Sequence, residues 1–93
     1  VACRYGGEEF AVICPADSQA QLRARAERIR CAIEALELTT PRGPLRRSAS
    51  LGVCWAAGNK LGLAPKDLVA SADAELYRAK RDGRNRCCVS VLK

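Results

Sequence analysis

The sequence contains no histidine and no methionine, and its aromatic residues are one tryptophan, two tyrosines and one phenylalanine. Without histidine or a CxxC pair, the chain lacks the ligand spacing of a zinc site. The few aromatic rings offer little surface on which nucleic-acid bases could stack. No apolar run approaches the ~18 residues of a membrane span, and no signal-peptide pattern opens the chain. A zinc module, a base-stacking module and a membrane-spanning segment are therefore disfavoured.

What is present describes one small globular domain. Of the 93 residues, 48% are hydrophobic and 28% are charged, which is an ordinary globular composition. The net charge of +6 favours anionic partners, whether nucleotide, nucleic acid or lipid head group. The six cysteines fall mostly within apparent strands and helices, so we expect reduced thiols in a cytosolic protein. Because the chain begins at Val1 inside an apparent strand, we expect a piece of a longer protein.

The segment 4–10, R-Y-G-G-E-E-F, predicts a tight hairpin with carboxylates at its tip. A two-residue type II′ turn prefers glycine at its first central position, which Gly7 supplies, with Glu8 second. This register predicts three facing pairs: Tyr5 with Phe10, Cys3 with Val12, and Val1 with Cys14.

The tip of this hairpin also has candidate chemistry. Glu8 and Glu9 are adjacent like charges that repel unless a cation lies between them, and their hard oxygens suit Mg²⁺. Gly6 and Gly7 have no Cβ atoms, so a phosphate could approach their backbone closely. The alternative interpretation is a solvated acidic turn without a ligand.

The next segment predicts a helix over 19–37. It starts at an S-x-x-Q capping box at Ser18 and buries one stripe, formed by Leu22, Ala26, Ile29, Ile33 and Leu36. The charged residues on the rest of this helix are interpreted as a solvated face or a ligand-binding face.

The second half of the chain predicts two strands and one further helix. After a loop or hairpin turn at 39–44, residues 48–55 alternate as a strand whose apolar face contains Ala49, Leu51, Val53 and Trp55. Gly52 in this strand is assigned a structural role, at a bulge or a close approach. A loop at 58–63 precedes a helix that begins at Pro65 and is capped near Gly83, and 86–92 predicts a closing strand.

Four polar residues recur every three or four positions along the end of this second helix: Asp73, Tyr77, Lys80 and Arg84. Lys80 and Arg84 could grip one polyphosphate, the first as a point charge and the second as a fork. The alternative is that they only compensate the negative end of the helix dipole. We interpret Asp73 as a surface carboxylate and Tyr77 as a half-buried ring, both with structural roles.

Three motifs in this order resemble the GGDEF family, the diguanylate cyclases. Residues 4–10 resemble its signature hairpin in the GGEEF spelling, and 48–53, S-A-S-L-G-V, resemble its T-x-S-x-G-V strand. Residues 71–85 resemble its A-D-x-A-L-Y-x-A-K-x-x-G-R-N signature, with Glu75 in a place where the family has alanine. The chain, 1–93, thus resembles the C-terminal portion of a single GGDEF domain that starts at the hairpin.

The resemblance implies an α+β fold, the ferredoxin-like palm of nucleotide cyclases. Here we expect a partial antiparallel sheet with two covering helices, without the N-terminal strand and helices of the family. The metal-binding Asp of that strand and the guanine-recognising Asn and Asp would be absent with them.

The implied reaction is condensation of two GTP into cyclic di-GMP with release of pyrophosphate, in an antiparallel homodimer. The resemblance gives Glu8 as a metal ligand and candidate base, Glu9 as a second ligand of Mg²⁺ (or Mn²⁺), and Gly6 and Gly7 as phosphate contacts. Lys80 and Arg84 would hold the terminal phosphates. For Arg4, transition-state stabilisation and a cross-strand structural role stay open. We expect the 93 residues alone to be inactive.

The resemblance also bears on regulation and location. Arg28 matches a family arginine that helps to hold inhibitory cyclic di-GMP, but the main inhibitory R-x-x-D would precede Val1 or straddle it. We expect an upstream sensory domain, a cytoplasmic location (with membrane anchoring only upstream), and no contact of this segment with membrane or nucleic acid. Two alternatives stay open: a catalytically inactive GGDEF domain that binds GTP or cyclic di-GMP, and an RRM-like nucleic-acid module.

Overall fold

The computed structural model describes residues 2–58 and 64–92, which form two helices and six short strands. The elements are β1 (Ala2–Gly6), β2 (Glu9–Val12), α1 (Gln19–Ala35), β3 (Glu37–Thr40), β4 (Gly43–Arg46), β5 (Leu51–Ala56), α2 (Pro65–Arg81) and β6 (Cys87–Leu92). Apart from Gly58, the predicted loop at 58–63 lies outside the described residues. Neither described helix is long and apolar enough to cross a membrane.

Helix α1 begins at the predicted capping box. The hydroxyl oxygen of Ser18 accepts a hydrogen bond from the Gln21 N–H at 3.1 Å. The Gln21 side-chain oxygen accepts one from the N–H of Asp17 at 2.6 Å. These bonds fix the entry of the chain into the helix and satisfy donors that a helix start leaves unpaired. The helix ends at Ala35, two residues before the predicted end, because Leu36 adopts an extended conformation that leads into β3.

Helix α2 has both of its predicted ends. Pro65 is its first residue, where a missing N–H costs nothing. Past its C-terminus, Gly83 has φ 122°, and the N–H of Arg84 donates to the carbonyl of Ala79 at 2.9 Å. This is the bond pattern of a Schellman motif, in which a left-handed glycine closes the helix.

The sheet pairings confirm an α+β fold, but among the described residues the strands form three two-stranded sheets rather than the predicted single partial antiparallel sheet. β1 pairs with β2 and β3 pairs with β4, both as antiparallel hairpins. β5 and β6, in contrast, are parallel. Because α2 connects these two strands as a crossover, the chain returns in the same direction.

The two helices cover opposite faces of the β5–β6 pair. On β6, the Cys87 thiol lies beside the Glu27 carboxyl of α1. Three residues later, the hydroxyl oxygen of Ser90 lies 2.8 Å from that of Ser71 on α2. Successive strand side chains alternate between faces, so these two contacts place one helix on each side. The buried apolar residues in the described part of the chain are Ala26, Ala79 and Cys88.

The apolar stripe of α1 is buried only in part. Ala26 is buried, as predicted, whereas Leu22 and Ile33 are only half-buried. Ile29 and Leu36, however, are 43% and 58% exposed. The prediction of one continuous buried stripe is therefore wrong at these two positions, because within the described residues nothing covers that side of α1.

Every residue of β5 is half-buried, including the three of the predicted apolar face that lie within the strand. Its Trp55 ring N–H donates to the carbonyl of Ala16, just before α1, at 3.1 Å. This bond satisfies the polar end of the indole, so the ring can pack against the chain that leads into α1.

The predicted register of the first hairpin is wrong by one residue. Arg4 faces Phe10 and Ala2 faces Val12, whereas Gly6 faces Glu9 at the turn. Tyr5 is the extra residue of a β-bulge, which shifts the pairing below the turn. The turn still has Gly7 and Glu8 at its centre, but Gly7 does not take the positive φ that a type II′ turn requires, so that turn type is wrong as well.

The predicted breaker segment 39–44 forms the turn between β3 and β4. Gly43 has φ 107°, a conformation that favours glycine. The Thr40 hydroxyl donates to the Gly43 carbonyl at 2.6 Å and accepts from the N–H of Arg42 at 3.2 Å.

Candidate functional site

The first hairpin meets the end of α2 through an ion pair between two predicted site residues. The Nζ atom of Lys80 lies 3.3 Å from a carboxylate oxygen of Glu9, although 71 residues separate them in the chain. Both side chains are 39% exposed, so water screens the pair and it contributes modestly to stability. The contact places a cation directly beside the acidic turn.

A cleft of about 220 Å³ lies at this contact. It is lined by Glu9, Asp73, Leu76, Tyr77 and Lys80. Asp73 is exposed, as predicted, but Tyr77 is 70% exposed and the prediction of a half-buried ring is wrong. The side of α2 that carries Tyr77 faces the hairpin cleft rather than the core. Sequence reasoning placed Asp73 and Tyr77 outside the site, whereas the structure places them in its lining.

Glu8 lies in the turn itself and is exposed, while Glu9 is the first residue of β2 and half-buried. Within the described residues, no group of three or more His, Cys, Asp or Glu side chains could hold a metal ion. Mg²⁺, however, is commonly bound by one or two carboxylates together with substrate phosphates and water. The two glutamates therefore fit part of a metal–nucleotide site and do not form a complete cage.

Arg4 fixes the shape of the turn. Its Nε and Nη2 atoms donate to the carbonyl of Gly7 at 3.0 and 2.7 Å. A Cβ atom built on Gly7 would meet nothing within 4 Å, so the space beside this glycine is open. The turn is thus held from the strand side and is accessible from outside.

Arg84 follows α2 and has an exposed side chain with φ 64°. Among the described residues, its guanidinium takes part in no hydrogen bond or ion pair. The structure therefore brings Lys80 to the acidic turn, but the Arg84 side chain contacts neither Lys80 nor the turn through a hydrogen bond or ion pair. The Arg84 guanidinium is available to an anion at the end of α2.

Arg28 lies on α1, away from the hairpin elements. With Arg25, Ile29 and Ala32 it lines an open cleft of about 330 Å³. Arg25 donates to the carbonyl of Pro15. Arg28 is exposed, and this cleft shares no lining residue with the one at Lys80.

A polar cluster that sequence reasoning missed lies between α1 and the turn before β6. Arg30 pairs with Glu27 and Glu34 on its own helix and reaches across to Asn85. The hydrogen bond from Arg30 lowers the pKa of the Glu27 carboxyl. Burial raises the pKa of the neighbouring Cys87 thiol to about 11. The charged face of α1, which was interpreted as solvated or ligand-binding, thus includes three residues with specific contacts inside the protein. Only their mutual spacing of three and four residues could have indicated these contacts.

The fold and the site define a class of protein: an α+β domain in which a glycine turn carries carboxylates beside the basic end of a helix. The family described as "Diguanylate cyclase, GGDEF domain" matches residues 1–86. The chain belongs to the GGDEF family.

Individual relatives agree with this assignment. The chain is similar to diguanylate cyclase DgcP of Pseudomonas aeruginosa, with 43% identity over 83 residues, which are 89% of this chain and 12% of DgcP. It is also similar to the response regulator PleD of Caulobacter vibrioides, with 42% identity over 85 residues, 89% of this chain and 18% of PleD. The chain therefore spans less than a fifth of the length of these curated relatives.

A solved structure is similar as well. The crystal structure of the GGDEF domain of DgcB from Caulobacter crescentus in complex with c-di-GMP has a TM-score of 0.70 and 32% identity. The match covers 95% of this chain and 52% of that chain. The fold is thus that of a GGDEF domain, the nucleotide-cyclase palm.

Proposed function

We propose that this chain is the C-terminal portion of a GGDEF domain, and that the complete domain is a diguanylate cyclase that condenses two GTP into cyclic di-GMP and releases pyrophosphate. The observation that carries the proposal is the ion pair between Glu9 of the acidic turn and Lys80 of α2. It brings carboxylates for a metal and a cation for phosphates to one cleft, the two kinds of group that a metal–nucleotide complex needs.

In this proposal the acidic turn binds the metal side of the nucleotide. Glu8 is exposed at the turn and serves as a metal ligand and candidate base, and Glu9 is the neighbouring ligand. Mg²⁺ (or Mn²⁺), when bound, would neutralise phosphate charge and lower the pKa of the attacking hydroxyl. Gly6 and Gly7 leave room for the phosphates, which the open space beside Gly7 supports. Arg4 holds the turn, and its transition-state role stays a prediction.

The basic end of α2 binds the terminal phosphates. Lys80 exchanges its Glu9 partner for a phosphate oxygen when the nucleotide enters, and the exposed Arg84 adds a forked contact. In each of two antiparallel domains, the 3′-hydroxyl of one GTP attacks the α-phosphorus of the other. A P–O bond forms as the bond to pyrophosphate breaks, and the hydroxyl proton goes to the base.

The product has a second proposed place in the molecule. The DgcB domain was crystallised with c-di-GMP, and we propose that Arg28 contacts such a dinucleotide as part of an inhibitory site. Its position in an open cleft beside Arg25 supports this, since two guanidiniums can share one phosphate group.

A receptor role without catalysis stays the alternative to the cyclase, and product analysis after incubation of the full-length protein with GTP and Mg²⁺ separates the two functions. The upstream sensory domain and the cytoplasmic location stay predictions.

Loss of the basic groups should affect GTP more than GMP. In the full-length protein, we expect Lys80→Ala and Arg84→Ala each to weaken GTP binding by about 1.5–3 kcal/mol, since each removes a charge-assisted contact. GMP has no β- or γ-phosphate, so its affinity should change little. Isothermal titration calorimetry with both nucleotides measures the difference.

Arg81→Ala is the matched control. Arg81 lies in the same last turn of α2 but is paired with Asp82 at 3.3 Å. Its loss removes one positive charge from the same helix end, yet it should leave the GTP-to-GMP ratio near the wild-type value. If Lys80→Ala or Arg84→Ala lowered the affinities for GTP and GMP equally, these residues would only stabilise the helix end.

The 93 residues alone should make no detectable cyclic di-GMP and should self-associate. The described residues supply only two carboxylates of the proposed metal site. The hairpin exposes 73% of Phe10 and 58% of Val12, an apolar face that a second copy can cover. Light scattering at several concentrations and a GTP turnover assay check both statements. A monodisperse monomer that turns over GTP would contradict them.

A further inference from the structure

The turn between α2 and β6 holds three consecutive residues in the left-handed region. Gly83, Arg84 and Asn85 have φ values of 122°, 64° and 47°. Glycine adopts this conformation without cost, but an arginine with a positive φ is uncommon and must be held by its surroundings. The conformation determines the direction in which the Arg84 side chain leaves the helix end.

Asn85 supplies the hold through both its backbone and its side chain. Its N–H donates to the hydroxyl oxygen of Ser50, just before β5, at 3.2 Å. Its side-chain oxygen accepts from Nη1 of Arg30 at 2.9 Å, and its side-chain nitrogen donates to Glu34. Asn85 thus ties the turn to α1 and to the start of β5, elements that lie 35 or more positions away in the chain.

The partners of this carboxamide are themselves fixed. The Arg30 side chain is only 16% exposed, and it is paired with Glu27 and, at 3.6 Å, with Glu34. A guanidinium held by two carboxylates has little rotational freedom, so the bond to Asn85 is made from a rigid donor. We call Asn85 with Arg30, Glu34 and Ser50 the clamp. Its two α1 residues, Arg30 and Glu34, are held in place before Asn85 bonds to them.

We propose that Asn85 is a positioning residue for Arg84: the clamp holds the left-handed turn so that the Arg84 guanidinium meets the terminal phosphates of GTP. This inference rests on the proposed function. Asn85 acts through Arg84 and needs no contact of its own with the nucleotide. Preorganisation of a phosphate-binding fork lowers the cost of ordering it when the ligand arrives.

The test is a double-mutant cycle in the full-length protein with GTP and GMP as the measured ligands. Asn85→Gly removes the carboxamide while keeping a residue that tolerates φ 47°. We expect a loss of GTP affinity of about tenfold, the size of one charge-assisted contact, and little change for GMP. In an Arg84→Ala background the same change should cost almost nothing, because the residue through which it acts is gone.

A swapped pair provides the rescue. Asn85→Asp alone places two carboxylates together and should lose GTP affinity. When it is combined with Glu34→Gln, the glutamine amide at 34 can donate to the aspartate at 85, which still accepts from Arg30. This double variant should recover most of the GTP affinity. Glu34→Ala is a milder variant, since this side chain is 50% exposed and its removal leaves no buried cavity. It should give a smaller loss of GTP affinity.

The outcomes separate this inference from the function on which it rests. If Arg84→Ala does not lower the affinity for GTP more than the affinity for GMP, the proposed phosphate contact fails. Arg84→Ala can instead show this difference while Asn85→Gly and Glu34→Ala lower the affinities for GTP and GMP equally, or while their losses of GTP affinity add fully to that of Arg84→Ala. In either case the clamp is only structural and the inference is overturned. A recovered GTP-to-GMP ratio in the swapped pair supports it, and a swapped pair as weak as Asn85→Asp contradicts it.

Discussion

The Glu8→Gln variant of the full-length protein should lose cyclic di-GMP synthesis while it keeps most of its GTP binding. The substitution preserves the size of the side chain and removes one charged oxygen from the proposed metal site at the turn. Loss of one such ligand should cost about 3 kcal/mol or more of transition-state stabilisation, which is roughly a hundredfold or greater fall in rate. Product formation followed by chromatography, together with GTP affinity from calorimetry, gives both quantities.

Glu37→Gln is the matched control for this experiment. Glu37 is an exposed acid at the start of β3, paired with Arg46 at 3.0 Å. An exposed pair of this kind contributes at most about 1 kcal/mol, and neither Glu37 nor Arg46 lines either of the two clefts described above. The control should keep the wild-type rate. A Glu8→Gln protein that also keeps the wild-type rate would remove Glu8 from the reaction.

Features that depend on a few neighbouring residues could be predicted from the sequence. The start of α1 follows from the hydroxyl of Ser18 and the amide of Gln21, and the start of α2 follows from the fixed φ of Pro65. The end of α2 follows from the glycine at 83. In each case the stabilising groups lie within one helical turn of each other, so no knowledge of the rest of the fold is required.

The register of the first hairpin could not be predicted in this way. A two-residue turn at Gly7 and Glu8 predicted that Phe10 faces Tyr5, but a bulge at Tyr5 places Arg4 opposite Phe10. One extra residue exchanges the faces of a strand, and a bulge gives no signal in residue type alone. On β2, Glu9 is half-buried and meets Lys80 of α2, whereas the next residue, Phe10, is exposed on the opposite face.

The candidate site shows the same division between local and distant contacts. The spacing of Lys80 and Arg84 and the acids of the turn were visible in the sequence. The Lys80–Glu9 pair and the clamp at Asn85 join residues 71 and 55 positions apart, and only the fold brings such residues together. Tyr77 was predicted to be a half-buried ring with a structural role, yet the ring is 70% exposed, because the side of α2 that carries it faces the hairpin cleft.

The largest structural effect should follow from Gly52→Ala in β5. A Cβ atom at this position would lie 2.0 Å from the carbonyl oxygen of Ala72 and 2.2 Å from the amide nitrogen of Leu76 on α2. Both are backbone atoms of a helix, which cannot move aside as a flexible side chain can. The helix must therefore shift away from the strand, and it carries Lys80 with it. The sequence indicated a bulge or a close approach at Gly52, and the structure shows the close approach.

Overpacking of this kind costs about 1–3 kcal/mol or more, a large part of the roughly 5–15 kcal/mol by which a domain is stable. We expect the urea midpoint of Gly52→Ala, followed by circular dichroism, to fall by more than about 1 M. Gly58→Ala is the control, because a Cβ there meets nothing within 4 Å and its φ is not in the left-handed region. The two variants share the same change in residue type and in backbone freedom. Equal urea midpoints for Gly52→Ala and Gly58→Ala would contradict the close approach of β5 and α2 that the structure shows.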